Sequence, residues 1–207
     1  MVINILDIGC GNLGSLVNVL NFLNIKNKII NSPNEILKSE SLILPGDGSF
    51  KIMNFLEKKN YISALNKYVQ SNKPLLGICL GMQFFSNKSM EDEDIKGFGW
   101  IPGEVKKFET KKNFKVPHIG YNSIIIKQNH KILENIKDSS DFYFVHSYYY
   151  SIFSEKNVLT ETDYLLNFPS IIYDKNIIGT QFHPEKSQEN GIQFLKNFYN
   201  FSQESKR

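Results

Sequence analysis

Arginine is nearly missing from this sequence. Arg207, the final residue, is its one guanidinium, and every other basic residue apart from the histidines is a lysine. Reading base edges and clamping phosphates lean on arginine forks, and the net charge of +3 is small. A nucleic-acid partner is therefore not expected. Cysteine is scarce as well, with only Cys10 and Cys79. Two thiols make no disulfide framework, so a reducing cytoplasm is the expected setting. Long hydrophobic runs are lacking: nothing approaches the roughly 20 apolar residues of a membrane span, and no membrane partner is expected. The opening MVINILDIGCGN has no basic start and carries Asp7 in its short apolar run, unlike a secretory leader. There is no internal repeat and no Pro/Gly/Ser linker. With 207 residues and 41% hydrophobic content, the chain reads as one domain, residues 1–207, with a real core.

What is present is a change of texture. The first half alternates short apolar runs with helical spacing. VINILDI (2–8), KNKIIN (26–31), SLILPG (41–46) and PLLGI (74–78) read as strands. Residues 14–24 space Leu16, Val19, Leu20 and Leu23 as a helix face, and 50–70 reads as one longer helix. Ser32-Pro33-Asn34-Glu35 reads as a capping box with proline at the first helical position. Such alternation predicts βαβ units, hence an α/β fold with a mostly parallel sheet covered by helices. After residue 90 comes an acidic stretch, MEDED, read as a solvated loop. Short β-type segments follow: GEVKKF, YNSIIIK, DFYFVHSYYY, SIIYD and NIIGTQF. They suggest antiparallel strands added to the α/β layer. A helix over 187–201 closes the chain.

Several motifs sit where strands turn into helices. Gly9-Cys10-Gly11-Asn12-Leu13-Gly14 satisfies the dinucleotide pattern G-x-G-x-x-G. Glu35, the acidic residue about 20 positions on, is however already engaged as a capping-box residue, so a tight glycine turn is the preferred reading. Gly77-Ile78-Cys79-Leu80-Gly81 has the shape of a nucleophile elbow with cysteine for serine. The positive end of the following helix would favour a thiolate. A packed, inert thiol is the equal alternative on these residues alone. A nucleophile needs a base. His130 lies in a polar loop, His118 in a turn into a strand, and His146 in an aromatic strand that makes it core or pocket lining. His183 is followed by Pro184 and Glu185. Residues i and i+2 of extended chain share a face, so imidazole and carboxylate would lie side by side as a base and its orienter. A surface turn is the bland alternative. Pro45-Gly46-Asp47-Gly48 ends another strand. Its amides either form an oxyanion hole or an ordinary turn in which Asp47 caps a helix.

PGDG, GICLGMQ and HPE, in that order, resemble the triad (class I) glutamine amidotransferases. DIGCGNLGSL, GFGWIPGEVKKF, VPHIGYN, FYFVHSYY and FHPEKSQENG extend the resemblance over nearly the whole chain. They point to the branch of glutaminase subunits that serve imidazole glycerol phosphate synthesis. The resemblance implies a flavodoxin-like sheet. It makes Cys79 the nucleophile, His183 the base and Glu185 its orienter, with the backbone amides of Asp47 and Leu80 as the oxyanion hole. Gly46, Gly48, Gln83, Tyr143, His146, Ser147 and Tyr148 match positions around bound L-glutamine. Asn12, Tyr121 and Lys186 match the face that meets a (β/α)8-barrel synthase, in a heterodimer that channels ammonia for histidine biosynthesis. No metal and no cofactor is implied. The alternative is a paralogous glutaminase feeding another synthase, such as one amidating a surface sugar. Asp47 stands where the family has a small apolar residue, and Tyr121 where tryptophan is common.

Overall fold

The structure is a computed structural model that describes residues 1–110 and 115–205; Arg207 lies outside them. The first half builds β1 (Ile3–Leu6), α1 (Leu13–Phe22), β2 (Asn27–Ile30), α2 (Pro33–Lys38), β3 (Ser41–Leu44), α3 (Ile52–Lys58), α4 (Tyr61–Gln70), β4 (Leu75–Ile78) and the single turn α5 (Leu80–Gln83). The second half builds β5 (Lys88–Ser89), β6 (Asp92–Lys96), β7 (Gly103–Lys107), β8 (His118–Ser123), β9 (Ile125–Ile126), β10 (Asp141–His146), β11 (Tyr148–Ile152), β12 (Val158–Asp163), β13 (Asn167–Asp174), β14 (Ile177–Thr180) and α6 (Gln188–Glu204).

The main sheet runs β2-β1-β3-β4-β14-β13-β12-β9. From β2 to β14 neighbouring strands are parallel, and from β14 to β9 they are antiparallel. Strands β3, β4 and β14 are buried on both faces, which is why they read as unbroken apolar runs rather than alternating ones. Ile5, Ile43 and Leu76 pack with Leu16, Leu20, Phe194 and Phe198, from α1 and α6, on one side. Leu42, Leu44 and Leu75 pack with Met53, Leu56, Leu65 and Tyr68, from α3 and α4, on the other. The α/β expectation therefore holds, and the added antiparallel strands hold with it. Beyond the main sheet lie β8–β10 and the four strands β11-β7-β5-β6.

Four local expectations are corrected. Residues 50–70 form two helices, because Asn60 takes a left-handed conformation (φ 59°) between them. Asparagine tolerates that region better than most residues. The break lets Tyr61 hydrogen-bond the Asn31 carbonyl, while Tyr61, Ala64, Leu65 and Tyr68 form the buried stripe of α4. MEDED is not a solvated loop: it turns into β6, and the Glu91 carboxylate accepts the Phe50 N–H at 2.8 Å. DFYFVHSYYY divides at Ser147 into β10 and β11, which pair in different sheets. At the start of α2 the Ser32 hydroxyl donates to the Glu35 carboxylate at 2.9 Å instead of accepting a backbone N–H. No helix among the described residues is long and apolar enough to cross a membrane.

Candidate active site

Topology alone gathers the motifs. Strands β1, β3, β4 and β14 are adjacent and parallel, so the segments after them share the carboxyl edge of the sheet, the usual place for a site in such folds. These segments are Gly9–Asn12, Pro45–Gly48, Cys79 with α5, and Gln181–Glu185. Sequence positions far apart thus meet without any long-range side-chain code.

Cys79 is the strained point. Its backbone has φ 53° and ψ −106°, outside the regions favoured by L-residues. The flanking glycines make this turn possible. A Cβ on Gly81 would stand 2.0 Å from the Leu44 carbonyl oxygen, and one on Gly77 would stand 2.4 Å from the Phe85 ring. Gly81→Ala therefore forces β3 and the elbow apart. We expect a loss of about 3 kcal/mol or more, read as a lowered urea midpoint. The helix that follows has only four residues, so the expected help from a helix dipole is small.

His183 Nδ1 lies 2.9 Å from Glu185 Oε1, and both side chains are almost fully buried. Burial alone would lower the pKa of His183. The charge of nearby Cys79, then the hydrogen bond and charge of Glu185, outweigh it and raise the value. His183 Nε2 is buried and has no hydrogen-bond partner, which leaves it for a proton in transit. The turn is held from outside: the His183 N–H donates to the Tyr143 carbonyl, and Ser187 Oγ donates to the His183 carbonyl while accepting the Tyr143 N–H. Nothing in the sequence pattern singles out Ser187 for this part.

The two oxyanion amides do not converge on Cys79 in this conformation. The Leu80 N–H points at the Gly46 carbonyl, 3.4 Å away, and the Asp47 amide faces the sulfur of Cys10. Burial, the leading cause, pushes the Cys10 thiol up to about 11, and the Asp47 amide works against it. The Asp47 carboxylate is not a helix cap. Its Oδ1 accepts the Gly11 N–H at 2.9 Å and so ties the first glycine turn to PGDG. Glu35 is also accounted for locally. Lys28 at 2.7 Å, then Ser32, hold its carboxyl down to about 2, which leaves G-x-G-x-x-G as a turn.

The positions matched to bound glutamine divide. Gly46 is buried against Leu80 and Gly81, while Gly48 is exposed with φ 94°. Gln83, His146 and Tyr148 form one cluster: Gln83 Nε2 and His146 Nδ1 both donate to the Tyr148 carbonyl, at 3.0 and 2.8 Å. His146 is core, with Nε2 at 3.0 Å from His118 Nδ1, its register partner on β8. Tyr143 and Ser147 are half-buried, and the Ser147 carbonyl accepts the Phe108 N–H. His130 is half-buried rather than solvated; its Nδ1 accepts the Ile132 N–H. Tyr121 is 49% exposed, and its hydroxyl donates to the Lys186 carbonyl at 2.8 Å. Lys186 Nζ lies 5.8 Å from the centre of the Tyr143 ring. Asn12 caps α1 through the Ser15 N–H, and α1 packs beside the turn at 184–186.

The glutamine amidotransferase class-I family profile matches residues 4–201. The chain belongs to this family. The chain is also similar to known proteins over nearly its full length. It is 43% identical over 199 residues to imidazole glycerol phosphate synthase subunit HisH 2 of Methanococcus maripaludis, covering 95% of this chain and 98% of that one. It is 41% identical over 202 residues to the HisH subunit of Leptospira interrogans, with the same coverages. Among solved structures, one described as a glutamine amidotransferase superposes with TM-score 0.77 at 16% identity, over 98% of this chain and 100% of that one. A chain of PurLQS from Thermotoga maritima gives 0.74 at 16% identity, over 97% and 98%. At such identities the two structures speak to the fold alone.

Proposed function

We propose that this amidotransferase, acting as a single domain, hydrolyses glutamine and hands the ammonia to a separate (β/α)8-barrel synthase. That partner would make imidazole glycerol phosphate and aminoimidazole carboxamide ribotide in histidine biosynthesis. The observation that carries the reading is the buried His183–Glu185 pair, 2.9 Å apart, beside a cysteine held in a strained elbow. The near full-length likeness to HisH subunits, at about 40% identity, favours this synthase over one that amidates a surface sugar.

In the proposed reaction the Cys79 thiolate attacks the side-chain amide carbon of glutamine. The C–N bond breaks as His183 delivers a proton to the departing ammonia. A γ-glutamyl thioester remains on Cys79. Water then gives a proton to His183 and attacks the thioester, releasing glutamate and restoring the thiolate. Glu185 keeps the His183 ring in the orientation and tautomer that leave Nε2 facing the reaction. The chemistry calls for no metal or organic cofactor. Tyr121, Lys186 and Asn12 lie along the proposed docking face, and a heterodimer there would carry ammonia onward without loss to solvent.

The test is nitrogen transfer. With glutamine labelled at its amide nitrogen, the reconstituted pair should place the label in the imidazole product even when unlabelled ammonium is in excess. Label lost to the ammonium pool would argue against a channelled heterodimer.

A further inference from the structure

Gln181 has no role in the reading above, yet it touches the sulfur. Its side chain is fully buried, and Nε2 lies 3.6 Å from Cys79 Sγ. The orientation of a glutamine amide is set by its neighbours, and here they leave one choice. Gln83 Nε2 lies 3.0 Å from the Tyr148 carbonyl and 3.1 Å from Gln181 Oε1. A carbonyl only accepts, so turning the Gln83 amide would set oxygen against oxygen. Gln83 must therefore give its second N–H to Gln181 Oε1, which turns the Gln181 nitrogen toward the sulfur.

The same carbonyl fixes the other branch. His146 donates through Nδ1 to Tyr148, so His146 Nε2 is bare and accepts from His118 Nδ1. Burial lowers both imidazoles, to about 4 for His118 and about 3 for His146, and the cluster stays neutral. The ionisable groups acting on Cys79 are then His183, backed by Glu185, and Cys10 with Asp47 beside it.

We propose that Gln181 is a further catalytic residue, an N–H donor to the Cys79 thiolate, held in place by Gln83 and the Tyr148 carbonyl. This rests on Cys79 being the nucleophile. A donor to the charged form favours that form, and a donor fixed in advance needs no rearrangement during the reaction. The thiolate occurs twice in the cycle, as attacking group and as the leaving group when water cleaves the thioester. Before attack Gln181 raises the fraction of sulfur present as thiolate, and in the second step its N–H bond strengthens as charge returns to the departing sulfur.

The experiment follows alkylation of Cys79 by iodoacetamide across pH, read by mass spectrometry on the Cys79 peptide of the full chain. Gln181→Leu should move the midpoint up by about one pH unit and lower kcat with the barrel partner about tenfold, leaving KM near its original value. Gln83→Met keeps Gln181 but frees its carbonyl, and should give a smaller shift in the same direction. An unmoved midpoint in Gln181→Leu, even with a lowered Tm, overturns the proposal, because a merely structural role would act so. If that variant does not fold, an unmoved midpoint in Gln83→Met overturns it. Failure of glutamine hydrolysis itself would show separately, as unchanged turnover in Cys79→Ala.

Discussion

Glutamate release by Cys79→Ala, measured with the barrel partner present, should fall by about 10⁴-fold or more. The size follows from what remains. Without sulfur there is no thioester, and His183 has only water to activate against an unpolarised amide. The substitution itself is mild for the fold. Alanine fits the volume left by the thiol, although the backbone at φ 53° stays strained for any side chain. Heat stability should therefore change little while turnover collapses. A fall in activity accompanied by a large fall in Tm would implicate the fold rather than the nucleophile.

The barrel partner should raise glutamate release by about 10²- to 10³-fold over the isolated chain. The basis is the turn that faces Cys79. The Leu80 N–H is directed at the Gly46 carbonyl, and the Asp47 amide faces Cys10. A tetrahedral intermediate formed in this conformation would find neither donor ready, and losing one such donor costs roughly 10²–10³ in kcat. The Asp47 carboxylate adds a tie to Gly11 at 2.9 Å, beside Asn12 on the proposed docking face. Docking there can turn the Gly46–Asp47 peptide toward Cys79. Equal rates with and without the barrel would contradict this, and would mean that the turn needs no help.

The sequence exposes the site's chemistry better than its geometry. The buried parallel strands are legible because a strand covered on both faces must be apolar throughout, as β3 and β4 are. GICLG is legible because a crowded elbow excludes side chains at Gly77 and Gly81. The direction of a peptide bond leaves no such trace. Nothing in PGDG tells that the Leu80 amide meets Gly46, or that the Asp47 carboxylate reaches an amide 36 residues away. The break at Asn60 hides inside good helical spacing, and Ser147 inside an aromatic run. Gln181 is within reach as the residue two before His183. The extended-chain pairing of His183 with Glu185 is corrected: the strand ends at Thr180, and Glu185 reaches His183 from a 3-10 turn, Pro184–Lys186. His118 needs its strand partner, since the contact with His146 comes from the register of β8 on β10.

Cleavage of glutamine should pass through a covalent intermediate on Cys79. Acid quenching during steady turnover with the barrel partner, followed by mass spectrometry of the Cys79 peptide, tests it most directly. A γ-glutamyl adduct should appear on Cys79, disappear once glutamine is exhausted, and accumulate when deacylation is slowed. An adduct on Cys10, or full turnover with an unmodified Cys79 at every quench time, would contradict it.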